Sequence, residues 1–217
     1  IGLCSSINKA AKLASSKYIL YSHDDMYFCP EWDKVLMNEV ESLNHDKFYL
    51  SGTMIEPNSG HIVYDFGIDL ENFKEDELLL KYKSVNFYDH QGTHFAPHLV
   101  SKRMWDKVGG FSEEFNPGIA SDPDFNMKLW KENVRIFKGL NDFKVYHFGS
   151  LTTRKNKNLI QNRGDKTFLK KWGFSTKFFK KYYLKSKTKY DGPLNEPKKT
   201  FEYFLDLLIC KIRLVFM

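Results

Sequence analysis

The chain has 217 residues, 42% hydrophobic and 28% charged, enough apolar surface to bury a core and too much for disorder to be the default. Three cysteines, Cys4, Cys29 and Cys210, with no CxxC spacing argue against a disulfide framework or a zinc cluster and fit a reducing compartment. The net charge of +6 is uneven: residues 1–150 carry 16 basic and 22 acidic side chains, residues 151–217 carry 17 and 5, so the tail either meets something anionic or is a solvated Lys-rich face.

In chain order, Ile7, Ala10, Ala11 and Ala14 follow the i, i+3, i+4, i+7 spacing of an amphipathic helix. Tyr18-Ile19-Leu20-Tyr21 is a short apolar run, the pattern of a strand buried on both faces of a parallel sheet. His23-Asp24-Asp25 follows at once, and Pro30 opens a helix that buries Trp32, Val35, Leu36, Val40 and Leu43. Residues 48–55 and 61–68 read as β-like, with Asn58-Ser59-Gly60 as the turn between them. Residues 71–86 carry no clear pattern, and residues 93–100 look extended. Ser101 can cap a short helix that stops at Gly109-Gly110. Asp122 to Lys131 reads as a helix with Asp122 as its cap, and residues 134–137 and 143–148 read as strands. Beyond Thr153 the chain turns basic and aromatic, with Asp191-Gly192-Pro193 as a loop before a last helix. No signal peptide is visible and no apolar run is long enough to span a bilayer; the final stretch, Phe201 to Met217, suits either a membrane surface or docking on the body.

Helix, strand, acidic turn and helix make half of an open α/β sheet, where ligands sit beyond the carboxyl ends of the strands. Asp24 and Asp25 fall at that edge. Adjacent carboxylates repel unless a cation or basic group intervenes, and oxygen ligands suit Mg²⁺ or Mn²⁺; a surface turn is the plain alternative. Asp122 at a helix start is either a cap or, aimed into a cleft, a general base. His147, at the end of a strand-like run, is either structural or completes an Asp-based metal shell if it converges on Asp25. His94 and His98 are four apart but flank Pro97, which spoils a helical pair of ligands.

The order of four segments narrows this. Asn8, Ala11 and Ala14, then Tyr18-Ile19-Leu20-Tyr21-Ser22-His23-Asp24-Asp25 and Pro30-Glu31-Trp32, resemble the central motif of family-2 glycosyltransferases of the GT-A type. Val108-Gly109-Gly110-Phe111-Ser112-Glu113-Glu114-Phe115 resembles that family's acceptor-side GGF(D/S)E turn. Ser121-Asp122-Pro123-Asp124-Phe125 is similar to its ED-x-D motif, with Ser121 in place of Glu, and Val145-Tyr146-His147-Phe148-Gly149-Ser150 to its late H-x-G-S segment. The resemblance implies a GT-A-like (Rossmann-like) open mixed sheet flanked by helices over residues 1–153, incomplete at its N-terminus, and a helical basic extension over residues 154–217. Family members begin with two or three further strands, so it implies a fragment, a site completed by another polypeptide, or a non-catalytic role.

The resemblance also implies roles. Asp25 and His147 would hold Mn²⁺ or Mg²⁺, and Asp24 would face the ribose or sugar of a nucleotide-sugar donor, a UDP-sugar first. Asp122 would be the base, although the loss of the Glu leaves Asp124 as the other choice. Gly109 and Gly110 would let the backbone approach the sugars, and Trp32 and Trp105 would stack on sugar or pack. The reaction would be an inverting displacement onto a glycan or lipid-linked acceptor. A metal-dependent hydrolase and a non-catalytic binding module are the rivals. Lys166, Lys170, Lys171, Lys177, Lys180, Lys181 and Lys185, interleaved with Phe168, Trp172, Phe174, Phe178 and Phe179, suit an anionic lipid surface better than nucleic acid, for which no module is present. The expected location is cytoplasmic, with a peripheral contact on the inner face of the membrane as the option.

Overall fold

The computed structural model describes residues 2–149 and 163–217. Helix α1 (Leu3–Leu13) leads to β1 (Tyr18–Tyr21), β2 (Met26–Phe28), α2 (Trp32–Leu43), β3 (Phe48–Glu56), β4 (Ile62–Val63) and α3 (Glu75–Lys81). There follow β5 (His90–Gln91), β6 (His98–Ser101), α4 (Lys102–Val108), a 3₁₀ turn (Glu113–Phe115), α5 (Ser121–Lys131) and β7 (Ile136–His147). Helix α6 (Gly164–Trp172), the short α7 (Thr176–Phe178) with a π-helical continuation (Phe179–Tyr183), and α8 (Phe201–Val215) complete the described chain.

The strands form one mixed sheet in the order β1-β6-β3-β7-β2, with β4 on β3 and β5 on β7. Strands β1 and β3 both run antiparallel to β6, and β7 runs parallel to β3. The carboxyl ends of β1, β3 and β7 therefore share one edge of the sheet. Strand β2 is antiparallel to β7, so its first residue meets that same edge.

Alternation along the central strands fills both faces. Phe48 and Leu50 of β3 join Leu36 and Val40 of α2 on one face, while Tyr49 and Phe137 face Trp105, Phe125 and Trp130 on the other. Each large apolar side chain buried in this way contributes about 1.5–3 kcal/mol. Strand β1 departs from the sequence expectation. It pairs with β6 alone among the described strands and alternates, with Ile19 and Tyr21 buried and Tyr18 and Leu20 only partly covered. An apolar run of four residues does not distinguish a central strand from an amphipathic edge, because two of its positions pack under the helices either way.

Local chemistry sets several boundaries. Ser101 Oγ accepts from Met104 N at 3.1 Å and starts α4; Gly109, in the left-handed region at φ 74°, stops it. The second β-like stretch, residues 61–68, shrinks to Ile62–Val63, and the two late strands merge into β7 with a register shift opposite Gly52/Thr53. The cap expected at Asp122 is also displaced: α5 begins at Ser121, which places Asp122 inside its first turn.

The basic extension shares the body's core. Phe168, Phe178 and Phe179 are buried in the same cluster as Trp130 and Phe137, joined by Tyr203 and Cys210 of α8. The expected boundary at residues 153/154 lies outside the described residues. All three cysteines are buried and free. No helix among the described residues is long and apolar enough to cross a membrane.

Candidate active site

Three strand ends bring distant residues together. In the β2–β7 ladder Met26 pairs with His147, and Phe148 N donates to Asp25 O at 3.1 Å, which sets Asp25 beside the end of β7. In the β3–β7 ladder Ile55 pairs with Tyr146, so Glu56 comes next to His147. His147 Nε2 lies 3.2 Å from Asp25 Oδ1, and Nδ1 donates to Glu56 Oε1 at 2.5 Å. The Asp25 contact is an ion-pair distance without hydrogen-bond geometry, which leaves the buried Nε2 with no hydrogen-bond partner among the described residues.

His23 joins them from the turn after β1. Ligand atoms of His23, Asp25 and His147 lie within 4.8 Å of one another. Tyr21 hydroxyl, 2.8 Å from His23 Nε2, holds the His23 ring. Two imidazoles and a carboxylate, with a second carboxylate behind His147 fixing its ring, form a donor set that fits a divalent transition ion such as Mn²⁺ better than Mg²⁺. Glu56 is positioned in turn by Ser59 Oγ, which donates to its Oε2.

Electrostatics point the same way. Burial pulls the His147 pKa down, but Asp25 and Glu56 outweigh it and raise it to about 9. His23 moves in the opposite direction, lowered by burial against the charge of Asp25. With Asp24, Asp25 and Glu56 at this edge, carboxylates outnumber the one protonated imidazole, and a divalent ion bound there would take the place of the His147 proton.

Asp122 lies close enough to Tyr21 for its charge to act on the phenol. The Tyr21 phenol is pushed above its ordinary range by burial first, then by the charges of Asp122, Cys4 and Asp25, so the carboxylates of Asp122 and Asp25 act on one hydroxyl. The residue as a whole is half-buried, but its Oδ1 is sealed from solvent and has no hydrogen-bond partner among the described residues. Desolvation raises its pKa from 3.8 to about 7.

The other expected site residues have the following surroundings. Asp124 is fully buried and committed: Ser112 Oγ donates to it at 2.6 Å, Trp172 Nε1 at 2.8 Å, and Lys171 Nζ sits at 2.9 Å. It ties α6 to the turn after α4 and has no free oxygen for a substrate. Trp32 packs edge-on against Phe28 at 5.0 Å in the α2 core, and Trp105 is buried in the main cluster, so both serve packing. Gly109 caps α4. Gly110, at φ 61°, lets Asn8 approach; Asn8 donates to Phe111 O at 2.7 Å and accepts from Phe111 N at 2.9 Å, clamping α1 to the turn. Asp24 is exposed at the turn beside Asp25. Ser150 lies outside the described residues. His98 is buried against the Tyr49 hydroxyl at 2.8 Å, its pKa lowered by burial to about 3, and takes no part.

Two members of the cluster were missed in sequence. His23 adjoins the acidic pair directly after a strand, a signal that was available. Glu56 carries no local signal, since only the parallel pairing of β3 with β7 brings it to His147.

No protein-family model and no curated protein matches the chain. Among solved structures, the crystal structure of S. aureus TarS residues 1–349 is similar at 18% identity and a TM-score of 0.45, over 67% of this chain. The chain spans 40% of that structure.

Proposed function

We propose that the chain is a glycosyltransferase domain of the GT-A type that moves a sugar from a nucleoside-diphosphate donor, a UDP-sugar first, to a hydroxyl of a glycan or lipid-linked glycan with inversion. The observation that carries the reading is the 3.2 Å contact of Asp25 with His147 at the carboxyl edge of the sheet, joined by His23, while the charge of Asp122 acts on the Tyr21 hydroxyl that holds the His23 ring. Both carboxylates and the imidazole belong to the segments that resemble the family's motifs.

The residues divide the work. Asp25, His147 and His23 would hold the ion, and Glu56 orients His147. A bound divalent ion supplies Lewis-acid stabilisation for the leaving diphosphate. Asp24, exposed beside Asp25, faces the donor. Asp122 takes the proton of the attacking hydroxyl: a carboxyl with a pKa of about 7 is matched to proton transfer at neutral pH, a role worth about 10²–10⁴-fold. Asp124, held by Lys171, Trp172 and Ser112, is the weaker choice of base. A cavity of about 480 Å³ lined by Gly60, His61, Phe87, His90, His94 and Phe95 supports a place for the acceptor; Gly60 at its wall packs against the side chain of Glu56, the residue that holds His147.

A second reading, a metal-dependent hydrolase, gains one specific observation: His23 supplies a second imidazole, and two His with one carboxylate and an open position also suit a hydrolytic metal. Titration calorimetry with UDP and Mn²⁺ tests the shared premise, and absence of heat would remove both readings. Product analysis separates them, since transfer yields a glycoside and hydrolysis only free sugar. Under the first reading Asp122→Asn lowers turnover by about 10²–10⁴-fold with UDP binding retained, whereas Asp25→Asn weakens Mn²⁺-dependent UDP binding.

A further inference from the structure

Residues 166–185 keep most of their lysines exposed but bury their phenylalanines. Phe168, Phe174, Phe178 and Phe179 are buried in the core, so they present no rings to lipid or to nucleic-acid bases. The exposed apolar surface lies on α8 instead. Tyr203 and Cys210 are buried, and Leu207 and Leu214 pack partly against the body, an i, i+4, i+7, i+11 face turned inward. The opposite face repeats the same spacing with Phe201, Leu205, Leu208, Ile212 and Val215, each between 44% and 80% exposed. Phe204 and Phe216 widen it. The helix is about 22 Å long, and a continuous apolar ridge of that length is not ordinary soluble surface.

Charge borders the ridge. Between α7 and α8 lies a notch of about 120 Å³ lined by Lys177, Lys181, Arg213 and Asp206, with exposed Ile209 at its lip. Lys181 is neutralised by Glu202 and Asp206, both at 2.7 Å. Lys177 and Arg213 form no salt bridge among the described residues, and Asp206, already paired, is the one acid lining the notch. Lys198 and Lys199 precede the helix and Lys211 lies exposed on it.

We propose that α8 is an in-plane membrane helix: its ridge enters the headgroup and acyl boundary of an anionic bilayer, and the notch receives a lipid phosphate. No described helix is long and apolar enough to cross a membrane, and Glu202, Asp206, Lys211 and Arg213 along α8 suit an interfacial position. Self-association through the ridge would bring two sets of Lys177, Lys211 and Arg213 together, whereas an anionic surface attracts them. The proposal is independent of the chemistry assigned to the active site.

Flotation of the whole chain tests it, with vesicles of phosphatidylcholine alone and of phosphatidylcholine mixed with phosphatidylglycerol. The expected result is flotation with the anionic vesicles, weakened by salt. Leu208→Asp with Ile212→Asp should abolish it; both positions are exposed, and an unchanged circular dichroism spectrum confirms that the fold is kept. Lys177→Gln with Arg213→Gln should bind anionic vesicles roughly 10- to 30-fold more weakly. The proposal is overturned if the protein ignores both vesicles, floats equally with each, or floats unchanged with the two aspartates in place. It is also overturned if sedimentation shows a dimer that those aspartates split while no lipid is bound.

Discussion

Replacing Asp122 by asparagine should make the protein more stable at alkaline pH while removing its candidate base. Desolvation raises the Asp122 pKa from 3.8 to about 7. A carboxyl whose folded pKa lies above its unfolded value keeps more protons in the folded state between those limits. Stability is then full below about pH 4 and is lost as pH rises to about 7. A shift of that size corresponds to about 4 kcal/mol. The rest of the half-buried residue reaches solvent, and allowing for that screening a working value is about 2 kcal/mol. The asparagine does not titrate. Its own unpaired amide costs the same at every pH and cancels when two pH values are compared. Urea unfolding of both proteins, followed by tryptophan fluorescence at about pH 4.5 and about pH 8, measures the double difference, which should favour the variant by about 2–4 kcal/mol at the higher pH. A stability difference that is the same at both pH values would refute the claim that Asp122 is a desolvated carboxyl, and with it the pKa argument for its role as base.

Glu56→Gln should weaken Mn²⁺ binding by about 10- to 100-fold, because the His147 ring loses the carboxylate that orients it; calorimetry with Mn²⁺ alone reads this, and unchanged affinity would detach Glu56 from the site. Gly109→Ala and Gly110→Ala share a positive φ, yet an added Cβ meets nothing at Gly109 and collides with Asn8 Oδ1 at Gly110. The first should cost about 1 kcal/mol and the second about 2–4 kcal/mol in urea unfolding; equal costs would contradict the clamp by Asn8. Asp124→Ala should destabilise by about 2–4 kcal/mol, since Trp172 Nε1 and Ser112 Oγ lose their acceptor and α6 is untied, while Lys171 keeps its pair with Glu114; a loss below about 1 kcal/mol would mean that the hub is unimportant.

Several features were legible in the chain because they are set locally. The Ser101 cap, the glycine stop of α4, the existence of α1 and the apolar run of β1 each depend on neighbours within a few residues, although the face α1 buries is set by Cys4 and Ala11 and leaves Ala10 exposed. Asp25 and His147 stood out as candidates because each follows a strand-like run, and strand ends are where a sheet exposes its edge. The motif order also singled out Asn8 and Gly110, although the structure gives them a clamp and a close backbone approach.

Other features depended on which strands pair. That Asp124 of the SDPDF segment is an anchor turned on where α6 docks, because Lys171 and Trp172 reach it, whereas Asp122 Oδ1 has no hydrogen-bond partner among the described residues. The Lys- and Phe-rich stretch reads as one amphipathic surface in one dimension, yet its rings turn inward and the exposed ridge falls on α8. By itself, then, the chain's order of residues determined its local elements and named Asp25, Asp122 and His147, because backbone propensity and capping act over one or two turns. Only the tertiary structure decided the company they keep: Glu56 reaches His147 through the register of β3 on β7, a cooperative outcome of burying both faces of the sheet that no short window of residues encodes.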